Sequence, residues 1–290
     1  MSSVFVCGPS SWNTLVYVES LPQPVPHMLH AQGDSQTFGG TSLGKALNLA
    51  HLGHQVHLAT QHGLDTHGHK ISELLKFAHI TELNSVDSDD STATERHLNL
   101  MTKQGERISI YLESPAPSLG TKDAQIAAAM SQAHALVMDL SGESRRLLDV
   151  AQQQRADIWT DLHDYDGVNE FHAPFAQSAK YVFMNNDAMP DPLPYMRGLV
   201  GGGALMAVCT LGAQGALAVT AEGELRVPAV DTVVVDTNGA GDAFMAGVLD
   251  ATLGGYGPHK ALEAGASNAA RVLTSTNLHP TVDEFFKTGI

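Results

Sequence analysis

Short apolar runs alternate with helical segments along most of this chain, and the alternation restricts the folds open to it. Residues 4–7, 56–60, 135–139 and 158–161 have the composition of buried strands, and helical patterns occupy residues 65–78 and 143–154. Strands that follow one another through helices pair in parallel, with the helices packed on the sheet faces. The pattern therefore predicts an α/β fold with a mostly parallel central sheet.

The alternation breaks between residues 82 and 117. Residues 92–101 and 107–112 have strand composition and flank a turn at 103–106, and another strand pattern occurs early, at 14–18. A hairpin inserted into an α/β chain commonly covers a pocket, so we predict a small β lid from about residues 12–38 and 84–115. The alternative is an edge hairpin of the main sheet. Because no repeat or linker interrupts residues 1–290, we predict a single domain.

Charge limits the partners of the chain. With 16 Lys and Arg against 31 Asp and Glu, the formal net charge is −15, which disfavours nucleic acids and anionic membrane surfaces. No stretch approaches the roughly 20 apolar residues of a membrane span, and the first residues do not resemble a signal peptide. We expect a soluble, cytoplasmic protein whose two cysteines are buried thiols.

Residues 235–244 have the strongest chemical pattern. A β-branched run at 232–235, which we predict to be a buried strand, is followed by Gly239, Ala240, Gly241 and Asp242 and then by a helical pattern. Backbone N–H groups at a helix N-terminus bind anions, so this junction predicts a phosphate site. Asp242 stands at its mouth, where a carboxylate could accept a proton from an attacking hydroxyl. The alternative is a tight turn with Asp242 as a helix cap.

Two other patterns point to different sites. Residues 39–45 read Gly-x-x-x-x-Gly-Lys, as in a nucleotide-binding P-loop, but Ala46 stands where Ser or Thr would hold magnesium. Histidines cluster between residues 51 and 69, and imidazoles at short spacing can bind a metal ion. The cluster crosses a helix end and a strand, however, so surface or incidental histidines are the simpler interpretation.

Three polar residues follow predicted strands: Asp139, Asp161 and Asn185. Strands of a parallel sheet end at one common edge, and open α/β sheets bind ligands there. We therefore predict that these side chains border a ligand site.

Several ordered motifs resemble those of the ribokinase-like (PfkB) carbohydrate and nucleoside kinases. Residues 236–242, Asp-Thr-Asn-Gly-Ala-Gly-Asp, look like the carboxy-terminal signature of that family, and 38–40, Phe-Gly-Gly, look like its glycine pair. Residues 63–68 and 210–215 resemble two further family segments, the latter its nucleotide loop. The resemblance spans nearly the whole chain and implies a three-layer sandwich with a small β lid.

The resemblance also implies an activity: transfer of the γ-phosphoryl group of ATP to a primary hydroxyl of a sugar or nucleoside. Asp242 would be the base, and the amides of Gly239, Ala240 and Gly241 would stabilise the transferring phosphoryl group. Residues that would line the nucleotide site are Thr210, Gly212, Gly215, Thr237, Asn238, Asn268 and Asn185. Residues that would line the acceptor site are Asn13, Gly39, Gly40, Gly44 and Ser141.

The chain departs from the family pattern on the acceptor and magnesium sides. Asn13 stands where Asp is common, and Gly44 stands where Asn is common. In the Asn-x-x-Glu motif, which is linked to Mg²⁺, Ala188 replaces Glu and Asp187 is a candidate substitute. We expect an unphosphorylated sugar or nucleoside, because the few cations near the lid, Lys45 among them, are interpreted as solvated. A weakly active or inactive regulatory protein is the alternative function, and a homodimer through the exposed lid edge is expected.

Overall fold

A computed structural model of the protein describes residues 1–87, 91–103 and 106–289. In chain order, its strands are β1 (Ser3–Cys7), β2 (Ser11–Tyr17), β3 (Gly33–Gly39), β4 (Gln55–Thr60), β5 (Thr81–Asn84), β6 (Arg96–Met101), β7 (Arg107–Glu113), β8 (Ala135–Met138), β9 (Asp157–Asp161), β10 (Tyr181–Asn185), β11 (Met206–Thr210), β12 (Ala216–Thr220) and β13 (Gly223–Val227). Its α-helices are α1 (Thr41–His51), α2 (Thr66–Phe77), α3 (Asp123–Gln132), α4 (Gly142–Gln152), α5 (Ala173–Ser178), α6 (Leu193–Gly201), α7 (Ala240–Leu253), α8 (Pro258–Val272) and α9 (Pro280–Lys287).

The central sheet has nine strands in the described part of the chain, in the order β13-β12-β11-β10-β9-β8-β1-β4-β5. Every pairing from β5 to β11 is parallel, and β12 and β13 add an antiparallel edge. The predicted α/β class with a mostly parallel sheet is confirmed. Because the parallel strands end at one edge, Asp139, Asp161, Asn185 and Thr210 lie along it, as the sequence predicts.

Helices cover both faces of this sheet, which gives three layers. One core packs α1, α2, α7, α8 and α9 against the sheet, with Leu47, Ile71 and Val248 fully or almost fully buried. The other core packs α3 to α6 on the opposite face, around Leu147 and Phe175. Strands buried on both faces read as continuous apolar runs, which is why the sequence pattern identified them.

A separate small sheet has four strands among the described residues, in the order β3-β2-β6-β7. β2 pairs antiparallel with β3 and parallel with β6, and β6 pairs antiparallel with β7. The small sheet is thus distinct from the central sheet, and the edge-hairpin alternative is wrong. Part of the turn predicted at 103–106, and part of the lid range at 84–115, lie outside the described residues.

Asp65 links the small sheet to the body of the protein. Its carboxylate caps α2 by accepting from the N–H groups of His67 and Gly68, both at 2.9 Å, and it also accepts from the N–H of Thr94 at 2.9 Å. Burial raises the pKa of Asp65, but the hydrogen bonds from Thr94 and Gly68 outweigh it and lower the pKa to about 2. Two residues of the 63–68 motif, Asp65 and Gly68, therefore join α2 to the segment that leads into β6.

The predicted strand at residues 232–235 is wrong. The segment 228–239 has no helix or strand, and the side chains of Val233, Val234 and Val235 are more than half exposed. β-branched composition favours a strand only where a neighbouring strand pairs with it, and residues 232–235 belong to neither sheet of the described chain.

Both cysteines, Cys7 and Cys209, are buried free thiols, as expected. Among the described residues, none of the helices combines the length and the apolar character that a membrane span requires.

Candidate active site

The N-terminus of α7 places Asp242 in its first turn. Gly239 precedes the helix in the left-handed region, with φ of 78°, and a Cβ on it would lie 2.4 Å from the carbonyl oxygen of Leu278. Glycine is thus required for both conformation and space. The turn leads directly into the first N–H groups of the helix, which have no acceptor within the helix itself and favour an anion.

A cavity of about 600 Å³ opens on one side of this turn. It is bounded by the ends of β10 and β11, by residues 229–237 and by alanines of α8. The site residues predicted from sequence that line it are Asn185, Asp187, Thr210, Gly212, Gly215, Thr237, Ala240 and Gly241.

Two residues assigned to the nucleotide site are not among those that line this cavity. Asn268 is buried and donates from Nδ2 to Oδ1 of Asn48 at 3.0 Å and to the carbonyl oxygen of Ala243 at 2.8 Å. Asn238 forms a local turn in which its N–H donates to Oδ1 of Asp236 at 2.8 Å. In this structure Asn268 thus joins α8 to α1 and α7.

A buried lysine lies on the other side of Asp242. Nζ of Lys45, on α1, is 2.7 Å from Oδ1 of Asp242, 2.9 Å from Oδ2 of Asp139 and 3.3 Å from Oδ2 of Asp161. Only 1% of the lysine side chain is exposed. The prediction that Lys45 is solvated is therefore wrong: every residue of α1 from Ser42 to Leu49 is buried, so its lysine must find its partners inside the protein.

His163 completes this group, which we call the lysine cluster: Lys45, Asp139, Asp161, His163 and Asp242. The imidazole lies 3.4 Å from Asp139 through Nε2 and 3.4 Å from Asp161 through Nδ1. Its backbone is left-handed, with φ of 52°, a conformation that costs energy outside glycine and often marks functional sites.

Burial and mutual charge set the protonation of the cluster. Burial raises the pKa of Asp242 to about 6, with Lys45 opposing the rise and Asp139 adding to it. Burial also opposes ionisation of Asp139, Lys45 and His163, but their charged partners outweigh it. The pKa of Asp139 is therefore lowered, that of Lys45 is raised, and that of His163 is raised to about 9.

Glycines shape the side of the site assigned to the acceptor. A Cβ on Gly44 would lie 2.4 Å from Oδ2 of Asp242, so this carboxylate oxygen occupies the space of a side chain at position 44. A Cβ on Gly39 would lie 2.1 Å from Nδ2 of Asn13, whose Oδ1 accepts from Oγ of Ser11 at 2.8 Å. Gly40, with φ of 97°, is the N-cap residue that precedes α1. Gly39, Gly40 and Gly44 thus bring α1 close to strand β2 of the small sheet and to Asp242.

Ser141, also assigned to the acceptor, has a local role in this structure. Its Oγ accepts from the N–H of Ser144 at 3.0 Å and caps α4.

The register of the small sheet places polar side chains in one row. Asn13 lies opposite Thr37 of β3 and His97 of β6, and His97 lies opposite Tyr111 of β7. Residues directly opposite one another in a sheet share a face, and the His97 and Tyr111 rings are 4.1 Å apart. No sequence motif marks His97, Tyr111 or His163. His97 and Tyr111 are placed by the register of the strands, and His163 by a loop residue with left-handed backbone. Neither feature can be predicted from residue types.

The metal hypothesis for the clustered histidines finds no support. Among the residues that the structure describes, no group of three or more His, Cys, Asp or Glu side chains is placed to hold a metal ion. Asp187, assigned to magnesium, lies at the rim of the cavity, and its N–H donates to Oδ1 of Asn185 at 3.0 Å.

Comparison with known proteins gives one consistent result. The model of the pfkB family of carbohydrate kinases matches residues 1–187 and 182–284. Acarbose 7(IV)-phosphotransferase of an Actinoplanes species is 30% identical over 284 residues, which cover 94% of this chain and 92% of that protein.

Solved structures agree with the sequence matches. A microbiome-derived acarbose kinase is 27% identical, with a TM-score of 0.80 and 99% of each chain covered. The ribokinase of Thermotoga maritima, at 18% identity, has a TM-score of 0.78 over 99% of this chain and 100% of its own.

Proposed function

Because this chain belongs to the pfkB family of carbohydrate kinases, we propose that it transfers the γ-phosphoryl group of ATP to a primary hydroxyl of an unphosphorylated sugar. As a member of that family it is a phosphotransferase with an alcohol group as acceptor. The proposed general base is Asp242.

One observation carries the proposal: Asp242 lies between a nucleotide-sized cavity and the other members of the buried lysine cluster. Its neighbours Ala240 and Gly241 line the cavity, while its own carboxylate turns to Lys45 and Gly44. A phosphoryl group entering from the cavity would meet the N-terminus of α7, and a hydroxyl entering from the lid side would meet the base. The turn at 239–242 thus provides for both reactants.

The mechanism follows from these positions. The acceptor hydroxyl transfers its proton to the Asp242 carboxylate while the hydroxyl oxygen attacks the γ-phosphorus of ATP. The bond between the γ-phosphorus and the bridging oxygen breaks, and that oxygen leaves as part of ADP. Charge on the transferring group is stabilised by the first N–H groups of α7, which are fixed before the reaction begins. Water is excluded by closure of the small sheet over the acceptor.

Mg²⁺ is the expected companion of ATP, and the residues at the cavity rim fit it. Magnesium prefers carboxylate oxygens, phosphates and several retained waters. The Asp187 carboxylate and the Asn185 amide oxygen supply donors of this type at the cavity that would hold the phosphates. The ion would neutralise phosphate charge there.

Charge favours an unphosphorylated acceptor. The lysine cluster contains three carboxylates, and its ammonium group already lies within 3.3 Å of each of them. A sugar phosphate would meet net negative charge beside Asp242, whereas sugar hydroxyls could pair with the carboxylates and with the lid row of Asn13, His97 and Tyr111. The relatives named acarbose 7(IV)-phosphotransferase and acarbose kinase favour a sugar acceptor over a nucleoside.

An acceptor screen tests the proposal. ADP release would be measured with ATP and Mg²⁺ against acarbose, ribose, fructose, fructose 1-phosphate, fructose 6-phosphate and inosine. We expect turnover with an unphosphorylated sugar and none above background with the two phosphates. Turnover restricted to a sugar phosphate or to inosine would contradict the acceptor class. Thermal stabilisation by a sugar without ADP release would instead indicate a regulatory binding protein.

The assignment of the 600 Å³ cavity to the nucleotide makes a separate prediction. Ala269 of α8 lines it, so Ala269→Phe should fill part of the space for the base. Overfilling a packed site costs about 1–3 kcal/mol, so the KM for ATP should rise by about 5- to 150-fold. Steady-state kinetics should show the KM for the acceptor unchanged. Ser267→Phe, on the exposed side of the same helix, is the matched control, and equal effects of the two variants would contradict the assignment.

We also propose a homodimer through the lid and a cytoplasmic location, where ATP is available. Ile108, Ile110 and Leu112 alternate along the edge strand β7 and are between 36% and 49% exposed. An apolar edge of this kind invites pairing with a second copy. Sedimentation at assay concentration should show a dimer, and a monomer there would contradict it.

A further inference from the structure

The position of Lys45 has a direct consequence for the base. Its ammonium group is almost completely buried and approaches Asp242 more closely, at 2.7 Å, than Asp139 or Asp161. An ion pair of that length is a charge-assisted hydrogen bond, which fixes the direction of the carboxylate as well as its charge. Since Oδ1 is held by the lysine, Oδ2 is the oxygen that lies over Gly44.

Charged groups reach this carboxylate or its lysine from α1, from the ends of β8 and β9 and from the loop after β9. Lys45 comes from α1, Asp139 follows β8, Asp161 ends β9 and His163 lies in the loop after it. From α8, Arg271 is directed elsewhere and donates to side chains of α1, α8 and the segment before α9. Opposite charge around Asp242 therefore comes from Lys45 directly and from His163 through the other two carboxylates.

We propose that Lys45 is a positioning residue for the kinase reaction: it keeps the buried Asp242 carboxylate ionised and holds Oδ1, so that Oδ2 faces the acceptor hydroxyl across Gly44. The inference rests on the proposed function, because it takes Asp242 as the base. Asn13 and Gly44 depart from the family pattern, and Lys45 supplies on α1 a charged group that organises this side of the site.

The electrostatics support this assignment and predict the direction in which each substitution shifts the pH profile. Burial raises the pKa of Asp242 to about 6, Lys45 pulls it down, and Asp139 pushes it up. A base must be ionised to act, so kcat/KM falls as the pH drops through this pKa. Removing the lysine should move that acid limb to higher pH, whereas removing the Asp139 charge should move it to lower pH.

The experiment compares the pH profiles of kcat/KM for the wild type, Lys45→Met and Asp139→Asn with the sugar acceptor found in the screen. An opposite charge at this distance shifts a carboxyl pKa by about 1–3 pH units. We expect the acid limb of Lys45→Met to move to higher pH by at least about 1 unit, and that of Asp139→Asn to move to lower pH. Lys76→Met, at an exposed position of α2, is the control and should leave the profile unchanged.

A purely structural lysine would lower activity at every pH without moving the limb, and that result would overturn the proposal. If Lys45→Met fails to fold, Lys45→Gln, which removes the charge but can still donate hydrogen bonds to the carboxylates, takes its place, and an unmoved acid limb in that variant would refute the electrostatic role.

The inference can also be tested apart from activity. Carboxyl ¹³C resonances titrated in the protein without substrate, with Asp242 assigned through Asp242→Asn, report its pKa directly. A higher pKa in Lys45→Met supports the inference even if the acceptor screen fails, and an equal pKa overturns it even if the screen succeeds.

Discussion

Asp242→Asn is expected to lower kcat about a thousandfold, within the 10²–10⁴ range of general-base catalysis. The amide keeps the size of the carboxylate but cannot accept the acceptor proton. ATP should bind as tightly as to the wild type or more tightly, because a negative charge next to the phosphate site is removed. The measurements that check this prediction are the rate of ADP release at saturating acceptor and the Kd for ATP from calorimetry.

Asp250→Asn is the matched control for this variant. Asp250 lies on the same helix and contacts His54 at 3.0 Å, far from the first turn. The Asp250→Asn variant should retain the wild-type kcat. A normal rate in Asp242→Asn would remove Asp242 as the base, while lost ATP binding would show that its role is structural.

Gly44→Ala is expected to have the second largest effect. The added methyl would lie 2.4 Å from Oδ2 and 3.0 Å from Cγ of Asp242, so the carboxylate must move. Misplacement of a catalytic group by ~1 Å can reduce the rate about a hundredfold, and we expect kcat/KM to fall by about that factor. Steady-state kinetics at pH 8, where the base is ionised, measure this loss.

Protein stability separates misplacement from unfolding. Alanine is favoured over glycine within a helix by about 1 kcal/mol, which should offset part of the steric cost in Gly44→Ala. Gly198→Ala is the control because nothing lies within 4 Å of its added Cβ on the exposed side of α6. Full activity in Gly44→Ala, or equal losses in both variants, would contradict the close contact between Gly44 and Asp242.

The predictable parts of this protein are those that depend on local pattern. The parallel strands are apolar throughout because both of their faces are buried, so their ends, and with them Asp139 and Asp161, could be located from sequence. The Gly239–Asp242 turn was recognisable because the conformation at Gly239 requires glycine. The conformation of segment 232–235 is not predictable from its composition, because β-branched residues can line a cavity in an irregular loop as readily as they fill a strand.

The acceptor side was not predictable because its residues act through tertiary contacts. Lys45 looks like any helical lysine until α1 is seen to be buried on all sides around it. The row of Asn13, His97 and Tyr111 depends on the parallel pairing of β2 with β6, which joins segments about 80 residues apart in the chain. Pairing at that separation leaves no local signal.

The contact between position 44 and the base has an evolutionary consequence. A side chain at 44, such as the Asn common in the family, and the present direction of the Asp242 carboxylate exclude each other, and the lysine at 45 stabilises that direction. The two positions should therefore have changed together in evolution, with glycine at 44 preceding or accompanying lysine at 45. Aligned relatives should have a small residue at 44 wherever lysine is found at 45. A protein in which only one of the two positions is changed back should function less well.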